Sequence, residues 1–295
     1  VGLPSCGEDT LDISNGTSFS RSGIIDGSPT MGMDEYNAVG ALLVFAEANG
    51  ETFGDFACSG TLIRPDVFLT AAHCIRLFDP DDDEDISLSW RVSFSDDVSE
   101  FGWKTFDVPA VGVSKVVMHP DFEATDNLYL PHRLGYWADI AVLFLDESIS
   151  WIKPIPILKS EYLRSLHPGN SVVVAGYGER RPDIEESVHG VRYFGPSYLH
   201  EVGEYELRVG RVEGIDGVAP QEGLAEKCYG DSGGPTFLRT QDGGQLIGIT
   251  SRGDDGDDDC ERAGVDTRVD AFSEWILAEL EEGCRKGQRV SLDCW

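Results

Sequence analysis

Long apolar runs, basic side chains and closely spaced metal-ligand cysteines are what this sequence has least of, and each shortage excludes something. No uninterrupted apolar stretch reaches the roughly 18 residues that a bilayer-spanning helix needs. Lysine and arginine total 23 against 53 aspartates and glutamates, a net charge of −30 over 295 residues. That balance argues against a nucleic-acid partner, because phosphate would be repelled, whereas cationic partners or substrates would be drawn in. The same acidity also serves solubility or life in salt, and composition leaves both readings open. The seven cysteines include no CxxC pair, and no His/Cys cluster has zinc-ligand spacing. Disulfides are the better reading, and they imply an oxidising compartment, secreted, extracellular or periplasmic.

What the chain does have is organised around Gly230-Asp231-Ser232-Gly233-Gly234-Pro235. A serine hydroxyl is a poor nucleophile at neutral pH and needs a base within hydrogen-bond reach and N–H groups aimed at the developing oxyanion. Flanking glycines leave room for a substrate carbonyl and permit backbone angles closed to other residues. Alone, the stretch reads equally well as a loop, since Gly, Asp, Ser and Pro are turn residues anyway. Two other stretches decide the matter. Leu69-Thr70-Ala71-Ala72-His73-Cys74 delivers a histidine at the end of an apolar run, and Ala138-Asp139-Ile140-Ala141-Val142-Leu143-Phe144-Leu145 sets an aspartate at the start of a strand. The order His, Asp, Ser is the one found on the two-barrel fold. With TAAHC, DIAVLFL and GDSGGP together, the chain closely resembles the trypsin/chymotrypsin family of serine proteases, from about Ile24 to Gly283.

The residues support an all-β chain on their own. From Ala38 to Ser150 short β-branched and apolar runs alternate with Gly, Pro and Asp: Val39 to Phe45, Cys58 to Leu62, Val67 to Thr70, Trp90 to Phe94, Val111 to Met118 and Ile140 to Leu145. A second series includes Ser171 to Ala175, Val191 to Phe194, Tyr205 to Val209, Thr236 to Leu238 and Leu246 to Ser251. Such spacing argues a barrel or sandwich. The resemblance implies two antiparallel six-stranded β-barrels, about 24–150 and 155–268, within a protease domain at 24–283. The proline-punctuated link Trp151 to Pro156 crosses between them. Phe272, Trp275, Ile276 and Leu280 at helical spacing predict a C-terminal amphipathic helix at 269–282, capped by Gly283. Residues 1–23, rich in Gly, Ser, Asp and Thr, read as a loosely held leader or propeptide-like segment, any secretion signal having been removed, and 284–295 as a cysteine-containing tail.

The resemblance also implies roles. His73, Asp139 and Ser232 form the catalytic triad, and the N–H groups of Gly230 and Ser232 the oxyanion hole. Cys58 pairs with Cys74 and Cys228 with Cys260. Cys6, Cys284 and Cys294 remain, so one is free, bonded to another chain, or, if it is Cys6, modified as at a lipoprotein acceptor site. Cleavage before Ile24 would free an ammonium that buries itself against Asp231, making the chain a zymogen that needs an activating protease. The residue before Ile24 is Gly23 rather than Arg or Lys, and Arg21 lies two residues too early, a departure from the family pattern. Ser251 supports Asp139 and opens the substrate-binding segment, Gly253 and Gly264 keep the pocket walls open, and Glu226 lies at the pocket floor. A carboxylate there recognises Arg or Lys. Lys227 follows directly and Asp266 adds a second carboxylate, so the expected substrate is a protein or peptide with a basic residue before the scissile bond, unless Lys227 points inward. Arg252 stands where the family has tryptophan, turning an apolar subsite wall into a cation.

No cofactor is expected. Two acidic runs, Asp79 to Asp85 and Asp254 to Asp259, carry carboxylates at intervals that suit calcium, but the first lacks a central glycine and a closing bidentate glutamate, and the resemblance implies that the second lies on the rim of the specificity pocket, where substrate attraction is the better reading. The leading function is a secreted serine endopeptidase. A non-catalytic homologue used as a binding module and an esterase on the same machinery are the alternatives.

Overall fold

The computed structural model describes residues 24–78, 86–102, 104–122, 133–179, 189–211, 224–254, 260 and 263–291. The expected leader, the Asp79 to Asp85 run, most of the Asp254 to Asp259 run, Cys6 and Cys294 fall outside those residues.

A two-residue strand, β1 (Ser28–Pro29), precedes the first barrel. That barrel consists of β2 (Val39–Ala48), β3 (Glu51–Arg64), β4 (Val67–Thr70), β5 (Ile86–Ser93), β6 (Val111–Met118) and β7 (Ala141–Leu145), closed in the order β2-β3-β4-β7-β6-β5. The second is built from β8 (Ser171–Gly176), β9 (Tyr193–Val202), β10 (Glu206–Val209), β11 (Pro235–Thr240), β12 (Gly243–Gly253) and β13 (Gly264–Arg268). Its order is β9-β10-β13-β12-β11-β8, and β8 pairs back onto β9 to close the ring, with β1 added to β9 at Phe194 and Tyr193. All these pairings are antiparallel, and every residue of β4 and β7 is buried.

Two apolar cores form, the larger running from the first barrel across to Phe237, Leu246 and Ile249 of the second and to Ile276 and Leu280 of the C-terminal helix. Leu42, Leu62, Phe68, Leu143 and Phe144 belong to one, and Ile24, Val172, Val174, Leu199, Leu207 and Ile247 to the other. The link at 151–156 is tied to both sides: Ile155 N–H donates to Leu62 O of β3, and Leu246 N–H of β12 donates to Pro156 O.

Each expected strand run overlaps an observed strand, but several strands extend further; β3 begins at Glu51, β5 at Ile86, and β9 runs on to Val202, through Gly195-Pro196. A proline is tolerated there because it removes only a donor, and its carbonyl is used, accepting Ala225 N–H at 2.8 Å.

The C-terminal helix differs from expectation at its end. A 3-10 turn, Val269–Phe272, leads into α2 (Ser273–Arg285), the first helix being the single turn α1 (His73–Arg76). Gly283 is therefore inside α2 and is not its cap. It is buried, and a Cβ there would lie 2.7 Å from Phe144 Cε1, so β7 and α2 approach through the missing side chain. The capping glycine is Gly287, at φ +64°, where Gln288 N–H donates to Gly283 O and Gly287 N–H to Cys284 O. Asp66, fully buried, holds the segment beyond it: it accepts from Arg289 and from the N–H groups of Val290 and Ser291.

Candidate active site

The histidine sits on α1, directly after β4, and the aspartate directly before β7; β4 and β7 are paired, Thr70 opposite Ala141. Chain entry to one strand and exit from its neighbour thus bring His73 and Asp139 together. Asp139 Oδ2 lies 2.7 Å from His73 Nδ1, and Oδ1 accepts the backbone N–H of His73 at 2.8 Å. Ser251 Oγ donates to the same Oδ2 at 2.6 Å. Thr267 Oγ1, from β13, donates to the Asp139 carbonyl at 2.8 Å, so the second barrel grips an aspartate that the first one carries.

Electrostatics follow from this enclosure. Burial alone would raise the pKa of Asp139, but the charge and hydrogen bonds of His73, with the Ser251 hydroxyl, hold it below the usual carboxylate range. Burial likewise pulls His73 down, and the Asp139 carboxylate more than reverses this, leaving the imidazole above its ordinary 6.5.

Ser232 reaches the same place from the other barrel. Its carbonyl accepts Ser59 N–H at 2.9 Å, and Ser59 follows Cys58, which is disulfide-bonded to Cys74 beside the histidine. Gly233, at φ +76°, packs so closely that a Cβ would overlap Thr70 Oγ1 and lie 3.1 Å from Ala71 N. No hydrogen bond joins Ser232 Oγ to His73, a looseness common where no substrate is bound. Neither the Gly230 nor the Ser232 N–H has a hydrogen-bond partner among the described residues, which leaves both donors available.

The turn is fixed from beneath by a residue that the motifs did not single out. Buried Ser59 accepts Tyr177 N–H and donates to Gly230 O, both at 2.9 Å. Asp231 is fully buried, with Oδ1 accepting Gly178 N–H and Oδ2 accepting Cys228 N–H, each at 2.9 Å. Among the described residues no cation hydrogen-bonds to it, and burial pushes its pKa up from 3.8 to about 7. Ile24 is fully buried in the second core, and Ile25 exchanges backbone hydrogen bonds with Glu226 at 2.9 and 3.1 Å.

At the expected pocket the geometry departs from the sequence reading. The Glu226 carboxylate is turned onto the chain after β10: Oε1 accepts Arg211 N–H at 2.5 Å, while Oε2 is buried without a partner against Gly210. Desolvation pushes its pKa up to about 8. Lys227 points inward and is ion-paired with Asp266, whose second oxygen accepts the Thr236 hydroxyl. The expected preference for Arg or Lys counted Glu226 and Asp266 as two carboxylates free to meet a substrate, and neither is free. Arg252, the cation in place of an apolar wall, is paired with buried Glu206 and lies 5.4 Å above the Trp137 ring.

Disulfides join Cys58 to Cys74 and Cys228 to Cys260, and Cys284 is disulfide-bonded as well. Among the described residues the His/Cys/Asp/Glu group with ligand atoms close enough for a metal is Cys58, His73 and Cys74, and two of its three members are cystine sulfurs, which are not thiolate ligands. Of the acidic run at the pocket rim, Asp254 is described, and it is bonded to Arg208 Nε at 2.9 Å.

A family model described as Trypsin matches residues 42–276. The chain belongs to the trypsin family. Its trypsin-like sequence is 27% identical to the CLIP domain-containing serine protease B4 of Anopheles gambiae over 86% of this chain and 69% of that protein. It is 26% identical to a vitellin-degrading protease of Bombyx mori, covering 88% of this chain and 91% of the relative. With kallikrein-15 of Saguinus oedipus it shares 29% identity over 77% of this chain and 83% of the relative. The described helices of this trypsin-family chain include none long and apolar enough to cross a membrane.

Proposed function

We propose that the protein is a serine endopeptidase that acts outside the cytosol, with His73, Asp139 and Ser232 as its triad, and that it is made as a zymogen activated by a cut before Ile24. The reading is carried by the hydrogen bonding of Asp139, which takes both the backbone and the ring N–H of His73 and the hydroxyl of Ser251. A carboxylate so held fixes the imidazole tautomer with Nε2 as the proton acceptor, the form a serine nucleophile requires.

In the proposed reaction Ser232 Oγ attacks the scissile carbonyl as His73 Nε2 takes its proton. The imidazolium is stabilised by Asp139, and the N–H groups of Gly230 and Ser232 stabilise the oxyanion. His73 then returns the proton to the leaving amine, and water repeats the sequence on the acyl-enzyme. Losing one oxyanion donor typically costs about 10²–10³ in rate. Activation is supported by Asp231, a buried carboxylate among backbone N–H groups that an arriving ammonium would neutralise.

The test is labelling of Ser232 by a fluorophosphonate in intact chain and in chain nicked directly before Ile24, with Ser232→Ala as the blank. Strong labelling of the nicked form with weak labelling of the intact form is expected. No labelling of either form would move the protein to the binding-module reading, and hydrolysis of simple esters without peptide amides would make it an esterase.

A further inference from the structure

In a peptidase of the kind proposed above, a reading on which this inference rests, the family resemblance implies that the side chain preceding the cut bond enters a primary pocket near Ser232. Its walls are the end of β12 and the start of β13, where Gly253 lies opposite Gly264 in register. A side chain at Gly253 would meet nothing within 4 Å, so the mouth is open. The inner end is filled. Lys227, five residues before Ser232 and itself buried, crosses in front of β13: a Cβ at Gly264 would stand 3.4 Å from its Cε and 3.8 Å from its Nζ. The ammonium ends on Asp266 Oδ1. Asp266 is fully buried, it accepts the Thr236 hydroxyl, and its carboxylate presses on β12, where a Cβ at Gly248 would lie 2.6 Å from Oδ2.

Depth and charge are both altered by this pair. The lysine stem occupies the length that an arginine or lysine side chain of a substrate would need. An incoming cation would also meet the Lys227 ammonium, whose counter-ion is already engaged. The pair is already neutral, so that cation would be buried with no free counter-ion, a cost that disfavours binding. An incoming carboxylate would have to share Lys227 with Asp266, leaving an excess buried negative charge. Glu226 offers no alternative anchor, since its Oε1 is held by Arg211 N–H and its Oε2 is buried against Gly210.

We propose that the Lys227–Asp266 pair shortens and neutralises the primary specificity pocket, so that the protein cleaves after small uncharged residues such as Ala, Ser or Val and not after Arg or Lys. In this arrangement Lys227 is a specificity residue and Asp266 positions it.

The experiment uses the full chain with an enteropeptidase recognition sequence placed directly before Ile24. Fluorophosphonate labelling of the nicked protein reports the catalytic groups independently of the pocket. A panel of peptide p-nitroanilides differing only in the residue before the cut bond (Ala, Ser, Val, Phe, Glu, Lys, Arg) reports the pocket, and benzamidine binding, read by thermal shift, reports it without catalysis. Wild type is expected to favour Ala, Ser or Val over Lys and Arg by at least about a hundredfold in kcat/KM and not to bind millimolar benzamidine. Lys227→Ser, which frees the Asp266 carboxylate, is expected to bind benzamidine and to gain cleavage after Lys and Arg, whereas Lys227→Met should gain neither. Should Lys227→Ser not fold, the double variant Lys227→Ser with Asp266→Ser, lacking a buried charge, is expected to accept Leu and Met without accepting Lys or Arg. Labelled wild type that prefers Lys or Arg, wild type that binds benzamidine, or an opened pocket with an unchanged profile would each overturn the proposal. Unlabelled wild type would overturn the peptidase reading instead, and benzamidine would still decide the pocket.

Discussion

The buried Asp231 makes a quantitative demand on the uncut chain. Its pKa lies at about 7 against an ordinary 3.8, because burial is only partly offset by the N–H groups of Cys228 and Gly178. The folded state therefore binds this proton more tightly than the unfolded state does. Below about pH 4 both states carry it and Asp231 costs nothing. Between about pH 4 and 7 only the unfolded state releases it, so stability falls as pH rises, and above about pH 7 the loss is complete. At about 1.4 kcal/mol for each pKa unit, that loss is on the order of 4 kcal/mol. A chain cut before Ile24 offers an ammonium as counter-ion and should lose little over the same range. For a protein of this size the gap between the two forms should open to on the order of 10 °C in melting temperature by pH 7. The assay is thermal and urea denaturation of intact and nicked protein at half-unit steps from pH 4 to 8, both carrying Ser232→Ala to prevent self-digestion. Glu226, with a pKa of about 8, adds a slope of the same sign to both forms, so the difference between them isolates Asp231. Parallel curves would refute the reasoning. They would mean either that the ammonium does not reach Asp231 or that this carboxylate is already neutralised in the intact chain.

Four other substitutions probe the frame around the site. Ser251→Ala removes a hydroxyl that stabilises the Asp139 carboxylate; the more basic Asp139 should raise the His73 pKa, moving the acid limb of the kcat/KM profile to higher pH with a loss of about tenfold, as expected for a hydrogen bond to a charged group. Arg192→Met should cost about 3–5 kcal/mol in urea denaturation, because the buried guanidinium bonds Thr30, Asn37, Val39, Phe94 and Asp96 at once and its loss would strip the Asp96 carboxylate of its cation. Gly283→Ala should destabilise by about 1–3 kcal/mol in spite of alanine's higher helix propensity, since its Cβ would meet Phe144, whereas Gly287→Ala should cost about 1 kcal/mol through its left-handed backbone alone.

The contrast between those two glycines shows how far the sequence could be read. The strands were legible because β-branched and apolar runs between turn residues repeat on the scale of a few residues. The helix existed in the pattern of Phe272, Trp275, Ile276 and Leu280 for the same reason. Which glycine capped it was not legible, because the choice depends on whether Phe144, more than a hundred residues away, needs the space. Ser59 and Arg192 escaped for a related reason. Nothing in their neighbourhoods marks them, and their partners, Gly230 and Tyr177 for one and Thr30, Asn37 and Asp96 for the other, are assembled only when the barrels close.

The pocket is more instructive, since the partners of its charged residues follow from strand geometry and not from a count of charges. Counting Glu226 and Asp266 against Lys227 treats the three as a sum, which suits exposed charges that screen one another in water. Strand alternation gives a different answer. Gly264 and Asp266 are two residues apart on β13 and so point to the same face, and Thr267, one residue on, faces Asp139 instead. A fully buried aspartate such as Asp266 is costly to ionise without a cation at bonding distance. Glu226 can escape that constraint by reaching the N–H of Arg211 and keeping its proton; Asp266, shorter and fixed on β13, cannot reach so far. The pairing of Lys227 with Asp266 is then what burial requires.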